Sequence, residues 1–137
     1  MRAAAFALAL ALIAGGAVAR PVCSAGLHAV TTAQLYFGRD EAGAAVSEAD
    51  WAAFMDAEVT PRFPEGLTVW DAHGQWRRSD GRMVREETKV MLIVLSGSAG
   101  ERGRLAGLIG AYKDRFHQRS VLITEHGECA SFEGLEK

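Results

Sequence analysis

Residues 67–96 read LTVWDAHGQWRRSDGRMVREETKVMLIVLS, and this stretch decides the fold. Two extended runs, Leu67 to Arg78 and Met83 to Ser96, flank Ser79-Asp80-Gly81-Arg82. Asp-Gly between strand-like runs is the strongest short hairpin signal, because a two-residue type I′ turn requires positive φ at both central positions. With Asp80 and Gly81 as that turn, Val69 faces Leu92, Asp71 faces Val90, His73 faces Thr88 and Gln75 faces Glu86. Trp70 then faces Met91 and Trp76 faces Arg85, so that Thr68, Trp70, Met91 and Ile93 share one surface. Leu67, Val69, Leu92 and Val94 share the other.

Upstream of the hairpin, Thr31 to Gly38 (TTAQLYFG) is β-branched and aromatic and reads as a first strand. Ser47 is placed to cap a helix, with Asp50 three residues on in capping-box fashion. Trp51, Phe54, Met55 and Val59 form its apolar stripe, and Pro61 and Pro64 end it. Downstream, Ala99 to Gln118 fits a second helix with Leu105, Leu108, Ile109, Tyr112 and Phe116 on one face. Ser120 to Glu125 closes the chain as a strand. The order β-α-β-β-α-β predicts an α+β, ferredoxin-like fold: a four-stranded antiparallel sheet with two helices on one face. Such a sheet leaves its other face open, and apolar residues there need a ligand, a partner or a second copy of the chain.

Near the start of the 137 residues stand Arg2, an uncharged apolar run from Ala3 to Ala14, and a small-residue site at Ala17-Val18-Ala19. This is the pattern of a signal peptide over residues 1–19, leaving a single domain over residues 20–137. Its product is expected to be exported, either periplasmic or secreted, and no later segment is long and apolar enough to span a membrane. Without Arg2, 14 basic side chains stand against 17 acidic ones, which excludes a strongly basic nucleic-acid binder. The two cysteines, Cys23 and Cys129, bracket nearly the whole remaining chain. In an oxidising compartment they are expected to form one bridge, closing a loop of about 100 residues for roughly 4–5 kcal/mol by chain entropy.

The stretch from Trp51 to Arg77, with its V-T-P-R-F-P-x-G-L-T-V core, resembles a bacterial family catalogued as domain of unknown function 3574. The likeness extends to Leu35-Tyr36-Phe37-Gly38, to Gly81-Arg82-Met83-Val84-Arg85-Glu86 and to Tyr112-Lys113-Asp114-Arg115-Phe116. It implies an exported bacterial protein and carries no activity or catalytic residue to this chain.

Among polar residues, Asp71, His73, Gln75 and Arg77 recur with the period of a strand face. A carboxylate beside a histidine can orient it for general-base work, although solvated side chains on a distal hairpin have the same spacing. Gly74 inside this run marks a bulge or a close approach. Trp70, Trp76, Arg78 and Lys89 form a second group, a candidate pocket for an apolar anion, with Trp76 and Arg85 in position for a cation–π contact. Burial of Lys89 would depress its pKa, and Glu86 or Glu87 is its expected ionic partner. Arg62 stands on a rigid turn between Pro61 and Phe63-Pro64, placed either for function or to clamp a helix end. The histidines at 28, 73, 117 and 126 have no metal-ligand spacing, and no phosphate loop, nucleophile elbow or dinucleotide fingerprint is present. No metal or cofactor is therefore expected.

Two functional classes remain. One is an exported domain that binds a small molecule or protein partner through its sheet face, with Trp70 as anchor and a homodimer as one way of covering that face. The other is a small cofactor-independent enzyme on a dimeric ferredoxin-like scaffold, using the Asp71/His73/Arg77 stripe or Arg62.

Overall fold

The central hairpin forms, but its turn is one residue longer than the two-residue expectation. In a computed structural model describing residues 20–40 and 45–133, Arg78 and Arg82 close a three-residue loop, Ser79-Asp80-Gly81. The Arg78 amide donates to the Arg82 carbonyl and the Gly81 amide to the Arg78 carbonyl, each at 2.9 Å. Only Gly81 takes a positive φ, 84°, whereas a type I′ turn would have forced Asp80 there as well. Asp80 instead accepts from the Arg82 amide at 3.0 Å.

One residue in the loop reverses the faces of one strand relative to the other. Strand β2 (Thr68–Arg77) pairs with β3 (Met83–Leu95) so that Val69 opposes Met91, Trp70 opposes Val90 and Asp71 opposes Lys89. The expected grouping of Trp70 with Met91 and Ile93 is thereby corrected: Met91 and Ile93 lie with Val69, and Trp70 lies with Val90, Leu92 and Val94. Gly74 makes no bulge, since the pairing runs unbroken from Thr68 to Arg77.

Strand β1 (His28–Gly38) pairs antiparallel with both β3 and β4 (Leu122–Ala130), giving the sheet order β2-β3-β1-β4. This is the ferredoxin-like order. The first and last strands of the chain run longer than expected: β1 starts earlier, and β4 runs on through Cys129, opposite Ala29. The Cys23–Cys129 disulfide forms there, with the two Cα atoms 5.6 Å apart across a separation of 106 residues.

Helix α1 (Glu48–Phe54) starts with the capping box foreseen at Ser47 and Asp50. Bonding of Asp50 to Ser47, first through the hydroxyl and then the amide, holds this carboxyl below its ordinary range. The stripe does not continue as one α-helix: Met55–Val59 widens into a π-helical turn, with the Thr60 amide bonded to the Met55 carbonyl. Helix α2 spans Glu101–Phe116 and ends at His117 in the left-handed region. Trp51, Phe54, Leu105, Leu108 and Tyr112 are buried with Ala33, Leu35, Phe37, Met91, Ile93 and Leu95, and Phe116 packs against them. Tyr112 is at the centre, its ring 4.7 Å from Phe37 and 5.2 Å from Phe54. Its hydroxyl donates to the Gly38 carbonyl at 2.9 Å, and burial pushes its pKa well up.

Candidate functional site

The helix-facing side of the hairpin carries the Asp71-His73-Gln75-Arg77 stripe, and each member inside it has a separate partner. Asp71 holds Lys89 at 2.5 Å, the His73 Nδ1 lies 3.0 Å from Glu87, and Gln75 accepts from Arg85 at 2.9 Å. Arg77 is exposed at the hairpin end opposite Met83. A cleft of about 320 Å³ beside this strand is lined by His73, Gln75, Asp40, Arg85 and Glu87, but by neither Asp71 nor Arg77. The stripe therefore does not converge on one cavity.

Lys89 lies on the covered face, with its side chain only 7% exposed. Its partners are Asp71 and, at 2.8 Å, Glu48 of α1, rather than Glu86 or Glu87. Burial favours its neutral form, yet the bonds to Asp71 and Glu48 outweigh this and raise its pKa, opposite to the first expectation. The same lysine holds both carboxyls below their ordinary range, with Arg39 adding to the effect on Glu48. Lys89 is thus a buried strut between β2, β3 and α1, on the opposite face from Trp70 and Trp76. The anion pocket grouped around it does not assemble.

Arg62 serves the helix end. It donates to the carbonyl and carboxylate of Glu58, both at 2.6 Å, and lies over Gly107 of α2. The loop from Ser96 to Gly100 is occupied from within: Glu101 accepts from the Ser96 and Gly97 amides at 3.0 and 2.9 Å. Burial works against the Glu101 charge, but these amide bonds and those of the Ser98 and Ser96 side chains prevail and lower its pKa.

The open face presents a different arrangement. One row across the sheet is bulky, Trp70-Val90-Tyr36-Leu122, while the neighbouring Ala72-Thr88-Gly38 row is small. Removing bulk from a row makes a trough. Two strand glycines deepen it: a Cβ on Gly38 would lie 2.6 Å from Glu86 Oε2, and one on Gly74 would lie 2.8 Å from Thr88 Oγ1. Glu86 can therefore lie flat across Gly38, and Trp76 Nε1 donates to its Oε1 at 2.9 Å. Trp76 faces Val84, so its predicted partner Arg85 is replaced by this bond. The resulting trough has a volume of about 290 Å³, with Tyr36, Trp76, Glu86, Thr88, Gln118 and Leu122 among its walls. Gln118, just past α2, is buried there. The sequence assigned no site role to Tyr36, Glu86, Thr88 or Gln118; glycine within two strands was the signal it carried.

Among the described residues no group of acidic, histidine or cysteine side chains is arranged to hold a metal, and no helix is long and apolar enough to cross a membrane.

The fold and the trough together define a ferredoxin-like α+β domain with an aromatic-walled depression on its open sheet face. The chain belongs to the family described as protein of unknown function DUF3574, whose profile matches residues 32–132. Similar solved structures include a phage SAM lyase in complex with S-methyl-5'-thioadenosine, at 16% identity and a TM-score of 0.57. That match covers 78% of this chain and 93% of the lyase chain. The phage SAM lyase in its apo state matches at 16% identity and a TM-score of 0.53, over 79% and 94% of the two chains. At this identity the likeness is one of fold. No curated protein matches the sequence significantly.

Proposed function

We propose that this protein is an exported domain, released by cleavage of a signal peptide over residues 1–19, that binds a small molecule in the open-face trough. The leader lies outside the described residues. The apolar leader and the cross-terminal disulfide support a periplasmic or secreted location, since such bridges persist in oxidising compartments.

The observation that carries the binding reading is the trough itself. Its walls combine aromatic surface with a few polar groups, and its volume, about 290 Å³, is at the lower edge of small-molecule sites. Trp76 contributes the main contact surface and Trp70, 40% exposed in the next row, extends it. A fragment screen of the oxidised protein by NMR, reading the indole N–H resonance of Trp76, tests this. Hits that move that resonance and are lost in Trp76→Ala are expected; hits confined to other surfaces would remove the site.

A second reading makes the chain a small cofactor-independent enzyme on a dimeric scaffold, favoured by the fold shared with the phage SAM lyase. Fold likeness alone carries little functional weight. Incubation with S-adenosylmethionine, followed by mass spectrometry for S-methyl-5'-thioadenosine, separates the two readings, because simple binding leaves the compound intact. Sedimentation of the oxidised protein tests the dimer.

A further inference from the structure

We propose that a second copy of this chain adds to the outer edge of β2, the two β2 strands pairing antiparallel about Gly74 so that two four-stranded sheets join into one. This goes beyond the small-molecule reading and does not depend on it. Strand β2 ends the sheet order, with β3 on one side and no strand on the other among the described residues.

Main-chain geometry gives the first argument. The Arg78 amide bonds to the Arg82 carbonyl, and bonded and non-bonded pairs alternate along an antiparallel ladder. Ala72, Gly74 and Trp76 therefore turn their main-chain groups toward β3, whereas Asp71, His73, Gln75 and Arg77 turn theirs outward. The alternation is visible on β3 too: the Glu87 carbonyl, opposite His73, points away from β2 and accepts from the Arg39 amide. Outward groups can bond only odd-numbered residue to odd-numbered residue. A two-fold axis must then fall on a residue, never between two.

Side-chain order gives the second. The run Asp71-Ala72-His73-Gly74-Gln75-Trp76-Arg77 complements its own reverse. With the axis on Gly74, Asp71 meets the partner's Arg77, Ala72 meets the partner's Trp76, and His73 meets the partner's Gln75. Opposite charges face each other, and a small side chain faces a large one. Gly74 meets its own copy in a non-bonded pair, where strands bring side chains closest. An axis on His73 would set Arg77 against the partner's Val69, and one on Gln75 would set it against the partner's His73. Only Gly74 satisfies both charges. Lys89 holds Asp71 at Oδ1, and a carboxylate has about four acceptor positions, so Asp71 can receive a guanidinium as well.

Exposure gives the third. Asp71, His73, Gln75, Trp76 and Arg77 are all exposed, so nothing described covers this edge. Unpaired edges invite association unless charges repel it, and here the charges answer one another. Four bonded pairs exchanging two bonds each give about eight main-chain hydrogen bonds. Because the axis stands perpendicular to the sheet, both open faces lie on one side of the joined sheet. Gly74, Gln75 and Trp76 line the trough at this edge, so the partner's strand borders it.

Sedimentation of the oxidised protein over a range of concentrations, paired with amide hydrogen exchange by NMR, tests the pairing. A reversible dimer is expected, with the amides of Asp71, His73, Gln75 and Arg77 gaining protection as concentration rises. Ala72, Gly74 and Trp76, already bonded to β3, serve as internal controls. Arg77→Glu sets like charges opposite and should weaken the dimer about tenfold or more. Gln75→Pro removes an outward amide, a substitution edge strands tolerate, and should abolish the dimer; if that variant fails to fold, Arg77→Glu and the exchange pattern decide. A monomer at every concentration would overturn the proposal. So would a dimer that leaves the four outward amides unprotected or is indifferent to Arg77→Glu, since its contact would lie elsewhere. Neither result touches the trough, which the fragment screen at Trp76 tests separately.

Discussion

The two faces of the sheet bury residues by different means. On the covered face, Ala33, Leu35, Phe37, Met91, Ile93 and Leu95 are closed over by two helices and by the aromatic cluster around Tyr112. On the open face, Val90, Thr32 and Thr88 are also buried, with no helix above them, while Leu122 remains 60% exposed. There the midline is shielded by its own neighbours: Trp70 and Tyr36 flank Val90 in one row. Where the row turns small, the shield opens and the trough appears. One face is thus sealed for stability, and the other is shaped by side-chain size into a surface that can receive something.

The largest expected difference between the faces is energetic. Phe54→Ala empties space inside the aromatic cluster and should cost about 3–5 kcal/mol in denaturant unfolding. Trp76→Ala, on the open face, should cost less than about 1 kcal/mol because no cavity forms. Comparable losses would erase the distinction between a sealed and an open face.

The next effect belongs to the seam where the chain ends meet. Replacing Cys23 and Cys129 together by serine should lower stability by roughly 2–4 kcal/mol, chiefly by freeing the unfolded chain. Intact mass with an alkylating reagent gives an independent check: without reductant neither cysteine should be modified, and two labelled thiols would contradict the bridge.

A smaller effect lies at the start of α2. Glu101→Gln weakens the bonds from the Ser96 and Gly97 amides and should cost about 1–3 kcal/mol near neutral pH. Because folding lowers the Glu101 pKa, its contribution is present above the ordinary carboxylate range. It is lost as pH falls through the depressed folded value. The variant should therefore show a flatter acid limb in a plot of stability against pH, and an unchanged limb would mean that Glu101 is not the group responsible.

The smallest effect on stability is the most informative about the trough. Gly38→Ala places a Cβ 2.6 Å from Glu86 Oε2, the far end of a flexible side chain, so unfolding should change by less than about 1 kcal/mol. Glu86 must move nevertheless, and the Trp76 indole resonance should shift with it. A large stability loss would show that the open face is as tightly packed as the covered one.

Much of this architecture is decided by local chemistry along the chain. Ser47 and Asp50 cap α1 through bonds between near neighbours, and the Trp51 and Leu105 stripes turn toward the sheet because helical periodicity permits no other burial. The polar stripe from Asp71 to Arg77 shares one strand face for the same reason, and the two terminal cysteines leave one intramolecular pairing. Register was not decided in this way. Asp80-Gly81 is compatible with a two-residue or a three-residue loop, and the choice between them rests on which β3 residues reach the helices. That single residue moves Lys89 away from Trp70 and Trp76 and onto Asp71 and Glu48. The trough lies further still from any local signal. Tyr36, Trp76, Glu86 and Gln118 come from three strands and the end of a helix, and their common wall exists only once β3 lies between β1 and β2. Glycine at 38 and 74 is visible in the chain, but the carboxylate and hydroxyl that use the vacant space arrive from β3, because strand pairing sets residues distant in sequence side by side.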